Sequence, residues 1–347
     1  MDAKITKQRL SRMLSYDWLK IIGMIVGICV VWSLVFTMTA TQITPTQKFY
    51  TYSYVDTNFT DAFAKEYKKD VFSYEVIEAK TEALSSEVNT ILEARFAVGE
   101  GDLIFLANAK NAKDKYKATD ENGNVLKDEN DKEIYLYNNY TQTFANGRVR
   151  YLYSLDGDGG YFANMEVYLT KYFGTEWKTG ELDEAKVKAD FRSRVKKDKR
   201  YKTEEQLLQG EKDDIARLNS YREALIAFYG YFEAGIVAFE TVEVTDYNGE
   251  KKEYTCYLNL NPTTEVVGED GSVTYTEMNA GLEKYVNYYE KYTDANGKEA
   301  DRLTSKNMCV GFLNFSSLDK QYRVVEGFQY EALLFINQLI EASLTSK

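Results

Sequence analysis

The run from Ile21 to Ala40 (IIGMIVGICVVWSLVFTMTA) holds twenty positions without a charge. At 1.5 Å per residue such a helix spans ~30 Å, the thickness of bilayer hydrocarbon. After it the pattern changes period. Lys48 to Val55 (KFYTYSYV) alternates and is rich in Tyr and Phe, which predicts a strand. Phe59, Phe63 and Tyr67 recur at fourfold spacing, so Thr57–Asp70 reads as a helix with Thr57 or Asn58 as N-cap. Phe72–Ala79 reads as a second strand. Ser85–Val98 reads as a second helix, with Val88, Ile91, Leu92 and Phe96 on one face. Asp102–Leu106 (DLIFL) is a short apolar run suited to a strand buried on both faces. A βαβαβ order of this kind predicts a parallel sheet with right-handed crossovers.

Farther along, Lys115–Tyr140 reads as one or two hairpins around the turn Asp120-Glu121-Asn122-Gly123. Tyr151–Leu155 is a candidate strand and Tyr161–Phe173 a helix. Asp183–Tyr231 predicts two helices broken near Gly210, the second with Ile215, Leu218, Tyr221, Leu225 and Phe228 in line. Phe239–Leu260 predicts a hairpin turning at Asp246-Tyr247-Asn248-Gly249. Asn279–Lys291 reads as a Tyr-rich helix, Cys309–Phe315 as an apolar strand and Glu326–Leu344 as a closing helix.

Charge orients the apolar run. Lys4, Lys7, Arg9, Arg12 and Lys20 against Asp2 and Asp17 make the preceding segment basic. The positive-inside rule then puts residues 1–20 in the cytoplasm as a tail and residues 21–40 across the membrane. Residues 41–47 become a linker, and 48–347 lie outside. A cleaved signal peptide is the alternative, but the run is longer than a usual signal core, and a cut after Ala40 would place Met38 where a small residue is needed. The 347-residue chain has a net charge of −11, and the acidic external part disfavours nucleic acid as a partner.

The absence of histidine excludes a Ser-His-Asp triad, a Cys-His nucleophile and His-ligated zinc. Three cysteines cannot form a metal site that needs four cysteine ligands. Cys256 and Cys309 are either a disulfide or two buried thiols. Asp156-Gly157-Asp158-Gly159-Gly160 departs from a calcium loop where Val167 stands at the position of its last carboxylate, and reads as a turn. Ser193-x-x-Lys196, Ser317-x-x-Lys320 and Lys178-Thr179-Gly180 match fragments of the serine–lysine enzymes in the wrong order. Arg192–Lys202 (RSRVKKDKRYK) holds seven basic residues. It reads as a solvated helix face paired with Glu204, Glu205 and the acidic stretch from Glu211 to Asp214, with anionic lipid or wall polymer as the alternative.

The order strand, helix, strand followed by Asn89–Leu106 (NTILEARFAVGEGDLIFL) resembles the opening of the extracytoplasmic solute-binding proteins of ABC transporters, of the type II periplasmic-binding-protein kind. The strand at Cys309-Val310-Gly311-Phe312 and the helix with Ala332-Leu333-Leu334-Phe335-Ile336 are similar to that family's ending. The resemblance implies an α/β, two-lobed domain. Its first lobe would take about 48–110 plus part of the C-terminal region, and its second would lie within about 140–300. It also implies a small-molecule solute, an ABC permease as partner, no cofactor and no catalysis. The membrane-spanning anchor, the short external part and the near absence of proline depart from the family.

In open α/β sheets ligands bind beyond the carboxyl ends of strands. That rule selects Tyr54, Asp56 and Asn58 after the first strand and Asn108 after the third. Trp177, the only tryptophan of the external part, is the further candidate for stacking on a sugar or capping a cation. The plainer alternatives are a helix cap for Asp56 and Asn58, core for Tyr54 and packing for Trp177. Two other function classes stand beside solute binding: a non-catalytic adaptor of an envelope assembly with a degenerate cleft, and a carboxylate-based glycan hydrolase.

Overall fold

In KFYTYSY, alternate side chains leave opposite faces of the strand: Tyr50, Tyr52 and Tyr54 on one, and Phe49 with the small hydroxyl residues Thr51 and Ser53 on the other. The computed structural model turns this into a sheet buried on both sides. It describes residues 6–39, 48–55, 57–67, 71–72, 78–84, 89–108, 116–117, 135–136, 140–198, 200–245, 249–267, 273–293, 299–314 and 327–346. Residues 1–44 and 45–347 form two separate units.

The first unit contains helix α1 (Lys7–Thr39). Its stretch Trp18–Thr37 is, among the described residues, the one helix long and apolar enough to cross a bilayer. A signal sequence near an N-terminus has the same pattern.

The second unit runs β1 (Lys48–Tyr54), β2 (Thr57–Phe59), α2 (Asp61–Glu66), β3 (Glu78–Leu84), α3 (Asn89–Ala97), β4 (Leu103–Ala107), β5 (Tyr116–Lys117), β6 (Tyr135–Leu136), α4 (Tyr140–Ala145), α5 (Tyr161–Phe173), α6 (Glu184–Val195) and α7 (Glu204–Glu233). Then follow β7 (Ala238–Thr245), β8 (Lys251–Asn259), β9 (Thr263–Val267), β10 (Val273–Glu277), β11 (Val286–Thr293), β12 (Glu299–Thr304), β13 (Met308–Phe312) and α8 (Glu331–Leu344). The main sheet has the order β3-β1-β4-β13-β8-β7. β3 and β4 flank β1 in parallel, as the βαβαβ pattern predicts, and β13, β8 and β7 extend the sheet antiparallel. The architecture is therefore mixed α/β.

The two faces of this sheet have separate cores. Phe49, Leu103 and Phe105 pack with α2, α5, α7 and α8 through Phe63, Phe162, Leu218, Leu225 and Leu333. Tyr50, Tyr52, Ile104 and Leu106 pack with α3 and α4 through Leu92, Phe96 and Phe144. α5 occupies the span that its spacing predicts, and α8 follows a short 3-10 turn at Phe328–Tyr330.

Several expectations are corrected. Thr57–Phe59 is not helical: it pairs with Val286–Tyr288 of β11, and the N-cap of α2 is Thr60, whose Oγ1 accepts from the Phe63 N–H at 3.3 Å. The fourfold aromatic stack survives, with Phe59 and Phe63 rings 4.1 Å apart, although Phe59 belongs to a strand. The second strand is described over Glu78–Leu84; Phe72 is not in a strand, and residues 73–77 of the expected Phe72–Ala79 fall outside the described residues.

Asn279–Lys291 is a 3-10 turn at Ala280–Lys284 followed by β11, because pairing with β2 and β12 suits its Val and Tyr residues. Tyr151–Leu155 is not a regular strand: Tyr151 ends a 3-10 turn at Val149–Tyr151, and Leu152 makes an isolated bridge to Leu313. Gly210 lies inside α7. The break falls instead between Val195 and Thr203, where Thr203 and Gln206 form a capping box. Gly210 is needed there because a Cβ would strike the rings of Phe191 and Tyr201.

Residues 116–117 pair antiparallel with residues 135–136, and residues 118–134 of the expected hairpins fall outside the described residues. The turn at 120–123, the Asp246–Asn248 part of the second turn, the linker 41–47 and Ser317-x-x-Lys320 fall outside the described residues.

Candidate functional site

β1 changes direction sharply at Val55, which adopts a left-handed φ of 52°. Beyond the carboxyl ends of β1 and β4 the described residues that the strand-end rule selects have separate surroundings. Tyr54 turns its ring inward, edge-on to Tyr140 and Phe144 at 6.1 and 5.4 Å. Burial raises its hydroxyl pKa and the Arg148 charge opposes the rise. Asn58 is exposed on β2, opposite Asn287. Asp56 lies outside the described residues.

Asn108 follows β4 and donates its N–H to the Asn307 carbonyl at 3.1 Å. Its side chain hydrogen-bonds Cys309, whose thiol burial pushes well above its ordinary range. Cys256 is pushed up to about 12, chiefly by burial, and both cysteines are free thiols.

Asn307, at a left-handed φ of 49°, sits at the centre of an asparagine network. Its Oδ1 accepts from Asn259 at 3.0 Å, and its N–H donates to the Asn261 carbonyl at 2.9 Å. Asn261 in turn donates to Glu277 at 2.6 Å and to Ser305 at 3.0 Å. Two hydroxyls on the β1–β2 segment stand apart from this satisfaction. Ser53 Oγ and Thr57 Oγ1 are fully buried and have no hydrogen-bond partner among the described residues. Their positions were not singled out by the strand-end rule. Ser53 faces Phe105 in register, and nothing local in YSYVDTN separates it from an ordinary strand residue.

Trp177 lies elsewhere, in the segment between α5 and α6, and belongs to the larger core. The Lys178 ammonium rests over its ring at 5.6 Å and over the Tyr229 ring at 5.1 Å. Tyr54, Asn108 and Trp177 are only 4%, 3% and 7% exposed.

A second polar cluster joins α5, α6, α7 and α8. Arg192 pairs with Glu204 and Glu211, and Arg194 pairs with Asp214 at 2.6 Å. Asp214 also pairs with Arg217, which donates to the Tyr168 hydroxyl at 2.9 Å. Next to it the Tyr221 hydroxyl donates to the fully buried Glu331. Arg192 and Arg194 of the basic run thus pair with the acidic stretch that the sequence selects, whereas Arg200 pairs with Asp198 inside the run.

Among the described residues, no group of three Cys, Asp or Glu side chains is placed to hold a metal ion. The β1–β4 edge offers hydroxyls and amides, so its chemistry is hydrogen bonding. Comparison with protein-family models, with curated proteins and with solved structures gives no match.

Proposed function

We propose that the chain is a membrane-anchored, extracytoplasmic, non-catalytic binding protein. It takes a small polar solute at the carboxyl edge of β1 and β4 and presents it to a transporter in the membrane. The observation that carries this reading is a pair of fully buried hydroxyls without a hydrogen-bond partner among the described residues, Ser53 Oγ near the end of β1 and Thr57 Oγ1 at the start of β2. A buried hydroxyl without a partner costs free energy that a ligand group able to bond it would recover. The apolar α1 with its basic N-terminal flank supports the anchor, and the parallel β3-β1-β4 order supports the position of the site. In this reading the first lobe, about 48–110 with β13, closes on a second within about 140–300.

A second reading has its own support. Tyr54, Asn108 and Trp177 are covered by the chain's own side chains, and one core runs from Phe49 and Phe105 through Phe162 and Phe228 to Ile340. That continuity favours an adaptor whose cleft is filled. Thermal unfolding of residues 45–347 against sugars, oligosaccharides, amino acids, peptides and polyamines separates the two. A solute at 100 times its Kd stabilises by ~2.7 kcal/mol, a shift of several degrees. A flat response across the panel on folded protein sinks the solute-binding reading in favour of the adaptor.

A further inference from the structure

The basic run between α6 and α7 divides into two chemical groups. Its arginines are paired internally: Arg192 with Glu204 and Glu211, Arg194 with Asp214, and Arg200 with Asp198 at 2.6 Å. Its described lysines differ. Lys196, Lys197 and Lys202 are exposed and make no ion pair among the described residues. They lie within seven positions, on the turn that joins two well-packed helices. The exposed acidic neighbours are Glu204, held by Arg192, Glu205, and Asp213, which accepts from Gln209. A chain of net charge −11 therefore carries a local cluster of exposed lysines between α6 and α7.

We infer that this lysine cluster docks on anionic phospholipid headgroups of the membrane that α1 anchors. The inference rests on the anchored reading above. Phosphate groups on a bilayer complement point charges held on flexible stems, which is what lysine supplies. Each lysine near an anionic surface adds roughly fivefold to affinity, so three make only a weak, reversible contact in solution. Tethering changes that. The eight residues 40–47 extend at most ~30 Å, so the domain meets the bilayer at high effective concentration. A weak patch then suffices to hold one face of the domain to the surface.

The test uses the full chain in phosphatidylcholine vesicles with and without phosphatidylglycerol. Acylation of lysines by an amine-reactive reagent is read by mass spectrometry, with exposed Lys186 and Lys212 as internal references. Phosphatidylglycerol should protect Lys196, Lys197 and Lys202 by about threefold or more, and added salt should remove the protection. In Lys196→Glu the protection at Lys197 and Lys202 should fall. Equal labelling in both vesicle types overturns the inference while the chain still floats with the vesicles. A chain that does not float with them overturns the anchor itself. Protection by soluble polyphosphate but not by phosphatidylglycerol overturns the lipid as the source of phosphate.

Discussion

Tyr50 and Asp102 clasp each other at the start of β4. The Tyr50 N–H donates to Asp102 Oδ2 at 2.8 Å, while the Asp102 N–H donates to the Tyr50 carbonyl at 2.9 Å. The Asp102 carbonyl also accepts from the Leu313 N–H at 2.9 Å, so one residue ties β1, β4 and the end of β13. Burial pushes the Asp102 carboxyl up to about 7, the Tyr50 N–H opposes the rise, and the Glu331 charge adds to it.

This clasp has a pH signature. The folded pKa lies above the unfolded value of about 3.9, so the folded state binds the extra proton between the two. The contribution is complete below about pH 4 and is lost as pH rises through about 7. Asp102→Asn keeps an acceptor for Tyr50 and removes the charge. The variant should match the wild type at pH 4 and exceed it at pH 8. Solvent screening of a part-exposed group limits the gain to about 1–2 kcal/mol. Chemical denaturation at the two pH values measures it, and parallel profiles for the two proteins would refute the assignment.

Gly210 and Gly230 share helix α7 and should respond oppositely to alanine. Helix propensity alone favours Ala by ~1 kcal/mol at both. At Gly230 a Cβ meets nothing within 4 Å, so Gly230→Ala should stabilise by about 0.5–1 kcal/mol. At Gly210 the new Cβ collides with Phe191 and Tyr201, and overpacking of about 1–3 kcal/mol outweighs the propensity gain. Melting temperatures of the two variants decide it: Gly210→Ala down, Gly230→Ala up.

Arg217 is almost wholly buried between Asp214 and the Tyr168 hydroxyl. Arg217→Met leaves Asp214 with Arg194 alone and Tyr168 without this donor. Breaking a buried pair from one side costs about 3–5 kcal/mol, and urea unfolding should show a loss of that order. A loss below ~1 kcal/mol would mean that water or Arg194 takes over the role.

Ser53→Ala separates the binding reading from a structural one. Deleting an unpartnered buried hydroxyl should leave the unliganded protein as stable as before or up to about 1 kcal/mol more stable. If the hydroxyl is a ligand contact, the same change should abolish the thermal shift produced by any solute that the panel finds. An undiminished shift would move the site away from the end of β1.

Much of this could be read from residue order alone, because it depends on neighbours in the chain. The apolar run from Ile21, the β1 alternation, the short β4 strand and the span of α5 are set by local periodicity. Internal pairing of the arginines around Arg192 follows from opposite charges placed nearby in sequence. The carboxyl edge of β1 and β4 was legible too, since a βαβαβ pattern dictates where strands end. What tertiary structure alone decided depends on residues far apart. Thr57–Phe59 became a strand because β11, more than two hundred positions later, offers backbone partners. Gly210 stayed helical because Phe191 and Tyr201 close over it. Asn307 meets Asn108 and Asn259, and Ser53 loses its water, only when β13 closes beside β4 and the helices cover the sheet. Desolvation is a property of the assembled core, and no spacing along the chain encodes it.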